Sequence, residues 1–404
     1  MPPATEPALR ALMPALAGKT YFNYGGQGPL PEPSLEAITS AFRRINALGP
    51  FSDAVWPFAD ATVSGLRRRL AAWLAVAPHR LAFTENVSAG CVLPLWGLSW
   101  REGEELLLSD AEHPGVVAAC RELARRHQLR LTTLAVNDLR ADPAATAASL
   151  LERLEAQLSP RTRLVVLSHL LWNTGQLMPI AAVAARLAAH ANHPWLLVDG
   201  AQSLGSLPLD QPGSATPSAT PSASACADIY ACTGHKWCCG PEGLGVVAVS
   251  ERLLAEASPT LIGWRSLRNE TSGGSDFHRD ARRFEVATVC TPLFAGLSMS
   301  LQLLEAEGDA AARLERIQAL SAQLWQGLQA LPGMRPLLSA PPPAGLVSFE
   351  APGDPGQQVK RLGERAIWLR SLPAPSCLRA CTHITSTTAE IDQLLAALQG
   401  LSGH

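Results

Sequence analysis

Only three of the 33 basic residues in this chain are lysines, Lys19, Lys236 and Lys360, so chemistry that needs a primary amine has three candidates. Lys236 lies in ACTGHKWCCGPEGLGVVAV, a turn of small and polar residues just before an apolar run that reads as a buried strand. Lys19 falls in the N-terminal stretch and Lys360 on a helix that reads as exposed, which singles out Lys236. Upstream, WLLVDGAQSLG puts Asp199 at the C-terminal end of a predicted strand, where open α/β sheets bind ligands. Taken alone, Asp199 reads equally as a helix cap or turn former, and Lys236 as a solvated basic residue. An amine and a carboxylate on neighbouring strand ends are together the pair that pyridoxal phosphate requires. The amine forms a Schiff base, and the carboxylate keeps the pyridine nitrogen protonated so that the ring accepts electrons.

A dianionic phosphate also needs hydroxyls, backbone N–H groups and a helix N-terminus. FTENVSAG offers these, with Val87 and Ser88 opening a helical run, and Thr233 and His235 flank the lysine as further donors. Ser88 alone also reads as a helix cap. His113, in SDAEHPG after another strand, reads either as a ring that stacks on the cofactor or as a turn histidine.

These residues need a scaffold. From about residue 60 to 250 the pattern alternates strand and helix, with strands expected at 106–109, 129–135, 163–168, 195–199 and 245–249 and a helix from Pro179. Such alternation implies an α/β fold with a mostly parallel sheet covered by helices on both faces. Gln211 to Ser224 (QPGSATPSATPSAS) is too poor in large apolar groups to enter a core and reads as a surface loop. Beyond residue 285 a long helical region, Phe294 to Leu331, precedes the short strands GLVSFE, AIWLR and LRACTHI, interleaved with helices. The last helix carries a capping box, Thr387 and Glu390, and apolar residues at 391, 394, 395 and 398, with Gly400 just past its end. The expected division is an arm over 1–20 with one amphipathic stretch from Ala8 to Leu16, a large domain over 21–284, and a linking helix with a smaller α+β domain over 285–404.

Composition narrows the function. At 404 residues the chain exceeds a single small module, and a net charge of −2 leaves no basic excess for nucleic acid or anionic membranes. No apolar run approaches the roughly 18 residues that span a bilayer, and no signal-peptide core opens the chain, so a cytoplasmic location is expected. Nine cysteines without a CxxC pair indicate reduced thiols and no metal site.

Seven segments in order, FTENVSAG, the Glu112–His113 pair, SHLLWNTGQLMPI, VDGAQ, TGHK, RFEVAT and LRACTHI, resemble the class V aminotransferase group of fold type I pyridoxal phosphate enzymes, which contains the cysteine desulfurases. The resemblance runs from Tyr21 to about Leu398. It implies a Schiff-base lysine at Lys236, a pyridine-nitrogen partner at Asp199, a stacking ring at His113 and a contact to the phenolic oxygen at Gln202. Phosphate ligands fall at Val87, Ser88, Thr233 and His235. Trp172 occupies the column of a family asparagine, so a second phenolic-oxygen contact is assigned to the next residue, Asn173. Thr288, with Thr291-Pro292 as a rival, matches a threonine that reaches the other subunit's phosphate, which implies a homodimer. Arg379 matches the substrate-carboxylate arginine, Arg370 is expected to reach a distal carboxylate, and Asn23 and Gly25 in YFNYGGQGPLP fall on the substrate side.

Desulfurases carry a nucleophilic cysteine on a loop ahead of that arginine. Here IWLRSLPAPSCLRA is short, lacks the glycine and histidines, and offers only Cys377, which is expected on the opposite side of its strand from Arg379 as a small buried residue. The string as a whole looks like the cyanobacterial L-cysteine/cystine C–S lyases. The implied reaction is α,β-elimination to pyruvate, ammonia and a persulfide or sulfide, which could supply sulfur to an acceptor for iron–sulfur clusters. The alternatives are a desulfurase or selenocysteine lyase, and an epimerase or aminotransferase of the same family.

Overall fold

The computed structural model describes residues 8–209, 222–269 and 276–401. Most of the Pro/Ser/Ala insertion lies outside them. Its described end departs from a surface loop, because Ala223–Cys226 is a helical turn capped by Ser222, and the buried Ser224 hydroxyl donates to the Leu74 carbonyl at 2.6 Å.

Seven strands form the large sheet: β1 (Leu81–Thr84), β2 (Glu105–Ser109), β3 (Arg130–Leu134), β4 (Thr162–Ser168), β5 (Trp195–Asp199), β6 (Ile229–Thr233) and β7 (Gly245–Val249). Their spatial order is β1-β7-β6-β5-β4-β2-β3, and β7 alone runs antiparallel to its neighbours. Runs such as WLLVD and GVVAV have no polar alternation because helices cover both faces, and every residue of β5, β6 and β7 is buried. Register pairs Ser168 with Asp199 and Asp199 with Ala231. The carboxyl ends of β4, β5 and β6 therefore share one rim.

The expected helical region over 294–331 consists of two helices, Thr291–Ala306 and Ala310–Ala330. Gly308 turns the chain with φ +124°, and Asp309 caps the second helix by accepting from the Ala312 N–H at 2.8 Å. The first helix packs on Glu32–Leu48 and Val55–Trp73, the second on the C-terminal helix Thr388–Leu401. At that C-terminal helix the capping box forms: the Thr387 N–H donates to Glu390 Oε2 at 2.9 Å, and the Glu390 N–H donates to Thr387 Oγ1 at 3.2 Å. Gly400 lies inside its last turn rather than beyond it. The segment AIWLR, expected as one strand, divides. Ile367–Trp368 pairs in parallel with Thr20–Tyr21, and the chain then enters Arg370–Pro373.

A second, antiparallel sheet contains Arg335–Pro336, Leu346–Glu350, Ser376–Cys381 and Arg370–Pro373 in that order. Two contacts carry it to the rim of the large sheet. The Cys381 N–H donates to the Phe22 carbonyl at 2.7 Å, and the turn after β4 abuts Leu346. In that turn Gly175 has φ +81°, and a Cβ there would lie 2.5 Å from the Leu346 carbonyl oxygen. A side chain would meet both a left-handed backbone and a fixed oxygen. Gly175→Ala should therefore lower stability by roughly 1–3 kcal/mol and depress the thermal midpoint well beyond Gly103→Ala, where φ is +80° but no atom lies within 4 Å. Equal midpoints for the two variants would contradict the contact.

Candidate active site

Asp199 ends β5 buried, and the hydrogen bond to its side chain from the described residues comes from the Ala201 N–H at 2.8 Å. Burial raises its pKa, against the opposing pull of that N–H, Lys236 and His113. Lys236 follows the end of β6. Burial lowers its amine from 10.5 to about 8, with Asp199 working the other way and the guanidiniums of Arg379 and Arg370 adding to the depression. The carboxylate, the amine and both arginines thus act on one another at one locus.

His113 takes the turn position in the structure. It caps the helix Pro114–His127, with Nδ1 accepting from the Gly115 N–H at 3.2 Å, and its ring stands edge-on to Trp172 at 5.8 Å. Burial lowers its pKa first, and the charges of Asp199, Lys236 and Arg370 all reach it. A neutral ring near the carboxylate and the amine is suited to lie on a flat aromatic cofactor. Glu112, the chain neighbour of His113, is buried and accepts from the Ser109 hydroxyl at 2.5 Å and from the Ser168 N–H and hydroxyl at 2.8 Å each. Burial pushes it up to about 7.

The helix Val87–Trp96 is capped by Asn86, whose side chain accepts from the Ala89 N–H at 2.9 Å. Ser88 is therefore not the cap. Its Oγ lies 3.6 Å from the Cβ position of Gly115, beside His113. Thr233 Oγ1 and His235 Nδ1 are 2.8 Å apart, and burial lowers the His235 pKa. This helix start and these donors could hold a phosphate.

Gln202 is engaged at both ends: Nε2 donates to the Gly25 carbonyl and Oε1 accepts from Trp237 Nε1, each at 2.9 Å. Each end keeps capacity for one further hydrogen bond. Asn173 Nδ2 donates to Asn137 Oδ1 at 3.1 Å and to the Ala374 carbonyl at 3.2 Å, while its Oδ1 is buried without a partner. Trp172 donates its indole N–H to the Ala111 carbonyl at 3.1 Å, and its carbonyl accepts from Arg379 Nη1 at 2.7 Å.

Arg379 is 2% exposed, and its Nε has no partner. A Cβ on Gly25 would stand 3.0 Å from each of Arg379 Nη2, Gln202 Oε1 and Cys381 Sγ, so a side chain there would crowd all three groups. Arg370 pairs in register with Arg379 and is exposed. Asn23 Oδ1 is also buried and unpartnered. Thr288 is an exposed loop residue that lines a cavity with Thr84, Glu85 and Gly243, and Thr291 begins a helix; neither joins the Lys236 cluster of its own chain in the described contacts.

The expected position of Cys377 needs correction. Residues two apart on a strand share a face, so Cys377 is on the same side as Arg379. It is unavailable for a different reason: it packs among Leu337, Leu372 and Trp172, and burial pushes its thiol up to about 11. The same periodicity puts Cys381 on that face, and sequence reasoning missed it although the two-residue step from Arg379 was there to read.

The residues present fit pyridoxal phosphate. A buried carboxylate with one backbone donor, a lysine depressed to about 8, a capped helix start and unpartnered polar atoms on Asn173 and Arg379 match its pyridine nitrogen, aldehyde, phosphate and polar substituents in kind. The family model for class-V aminotransferases matches residues 20–394. An isopenicillin N epimerase of Streptomyces clavuligerus is 32% identical, over 95% of this chain and 94% of its own. Two structures of the cystine C–S lyase C-DES superpose with TM-scores of 0.88 and 0.87 at 40% and 41% identity, covering 96% of this chain and 98% and 99% of theirs. The first is a variant with glycine covalently linked to its PLP cofactor, the second a complex with the product cysteine persulfide. This chain belongs to the class-V aminotransferase family, and it is an enzyme whose cofactor is pyridoxal 5'-phosphate.

Proposed function

We propose that the enzyme is a carbon–sulfur lyase that eliminates the β-sulfur of L-cystine or L-cysteine, giving pyruvate, ammonia and cysteine persulfide or sulfide. The observation that carries this reading is the arginine pair Arg370 and Arg379, opposite each other on one hairpin and both acting electrostatically on Lys236. A substrate with a carboxylate at each end suits two guanidiniums, since each can grip a carboxylate through two parallel hydrogen bonds. The likeness to C-DES at 40% and 41% identity supports the same reading.

When bound, the cofactor supplies an electron sink that stabilises negative charge developing at the substrate Cα. Asp199 would hold its pyridine N–H, His113 its ring face, Gln202 and Asn173 its phenolic oxygen, and Val87, Ser88, Thr233 and His235 its phosphate. Arg379 orients the α-carboxylate, with Asn23 and Gly25 lining that end. Lys236 takes the Cα proton, and its depressed pKa keeps a neutral amine available near physiological pH. With cystine the leaving group is a persulfide, a weaker base than an ordinary thiolate.

We further propose a homodimer in which Thr288 reaches the partner's phosphate. The exposed Trp56 and Trp264, which line one cavity with Glu285 three residues before Thr288, support a covered face near that loop. A cytoplasmic location, a sulfur acceptor for iron–sulfur clusters, and a division into a large domain to residue 284 and a smaller one beyond it belong to the same proposal. Among the described residues no helix is long and apolar enough to cross a membrane. The likeness to isopenicillin N epimerase, at 32%, favours one second reading, in which the β-substituent is retained.

Incubating the holoenzyme with cystine separates these readings. Elimination releases pyruvate in step with cystine loss, whereas an epimerase yields the D-amino acid and no pyruvate. Arg370→Ala should raise KM for cystine roughly five-fold, a loss of about 1 kcal/mol for an exposed charge pair, and leave cysteine nearly unchanged; equal effects on both substrates would remove the distal-carboxylate role. Recombination of apoenzyme with the cofactor should accelerate as pH rises through about 8, because the neutral amine is the attacking form and Lys236 deprotonates there rather than near 10.5. A rise centred near 10.5 would contradict the buried amine.

A further inference from the structure

Beside the ligand-gripping arginine the structure holds a thiol that the lyase reading leaves without a task. Cys381 shares a strand face with Arg379, and its Sγ stands 3.0 Å from the same point at Gly25 as Arg379 Nη2 and Gln202 Oε1. Arg379 marks this spot as a ligand site, because a guanidinium 2% exposed with an unpartnered Nε is unsatisfied until an acceptor arrives. Cys381 itself is fully buried, so a ligand bound at Arg379 meets it where bulk solvent does not.

Six of the other eight free cysteines are differently situated. Cys377 is walled in by Leu337, Leu372 and Trp172, and Cys238 donates to the Leu204 carbonyl. Cys91 and Cys120 lie on the helices Val87–Trp96 and Pro114–His127, Cys232 lies within β6, and Cys290 is exposed.

We propose that Cys381 is a persulfide acceptor that takes up the sulfane sulfur released at this site. The proposal rests on the carbon–sulfur lyase reading for its sulfur source. The Cys381 thiolate attacks the terminal sulfur of cysteine persulfide. A new S–S bond forms to Cys381, the S–S bond within cysteine persulfide breaks, and the departing cysteine thiolate takes up the proton. The sulfane sulfur changes partner, and no outside oxidant or reductant is needed. A small thiol reverses the exchange and carries the sulfur away.

The test uses holoenzyme in two arms, one given cystine and one given preformed cysteine persulfide, each followed by alkylation and peptide mapping by mass spectrometry. The expected result is a mass gain of one sulfur atom on the Cys381 peptide in both arms, lost on treatment with dithiothreitol, while the Cys120 and Cys232 peptides stay unmodified. Modification of Cys290 alone, or none on the Cys381 peptide with preformed persulfide, overturns the proposal. Labelling by preformed persulfide in a protein that forms no pyruvate from cystine upholds the acceptor and overturns the lyase reading instead. Because the wild-type chain is mapped directly, a Cys381 variant that fails to fold does not affect the outcome.

Discussion

A carboxylate buried at the end of β5 with a single backbone donor is the constraint around which the site is organised. Desolvating Asp199 costs free energy that one N–H does not fully offset, and the rise in its pKa records that imbalance. Lys236 and His113 supply part of the compensation, and a protonated ring nitrogen would supply the rest. The same burial strips water from Lys236 and depresses its amine to about 8. Desolvation thus shifts both groups at once, raising the carboxyl of Asp199 and lowering the amine of Lys236.

The rest of the architecture brings these desolvated groups together and walls them. Register across β4, β5 and β6 sets Asp199 beside the turn that carries Lys236, with Glu112 buried behind through its bonds to Ser109 and Ser168. The second sheet closes the site from the far side through Arg379, which donates to the Trp172 carbonyl across 207 residues of sequence, and the N-terminal loop closes it through Gly25, whose carbonyl accepts from Gln202 across 177. Gly25 and Gly175 allow these close approaches because neither carries a Cβ.

What could be read from the sequence follows from this division. Five of the seven strands of the large sheet were bounded from the sequence, the central ones because burial on both faces leaves short, nearly unbroken apolar runs; β7 spans the predicted residues 245–249, while β1 and β6 were not bounded. The placement of Asp199 and Lys236 at one rim was legible because both follow apolar runs that read as neighbouring strands. The break at Gly308 was not, since apolar periodicity continues on either side and only the glycine's φ of +124° and the Asp309 cap reveal it. Nor was the division of AIWLR, which depends on pairing with Thr20–Tyr21 far away in the chain. Gln202 took its role from resemblance, while its engagement with Gly25 and Trp237 is a tertiary fact. Cys381 was legible in principle, because the two-residue step along its strand puts it on the face of Arg379.

The three lysines make the central claim directly measurable. Reducing the holoenzyme with borohydride fixes the cofactor to the amine that holds it, and peptide mapping then identifies that amine. The account predicts one phosphopyridoxyl group per chain, on Lys236. Modification of Lys19 or Lys360, or a holoenzyme that yields no modified lysine, would contradict it.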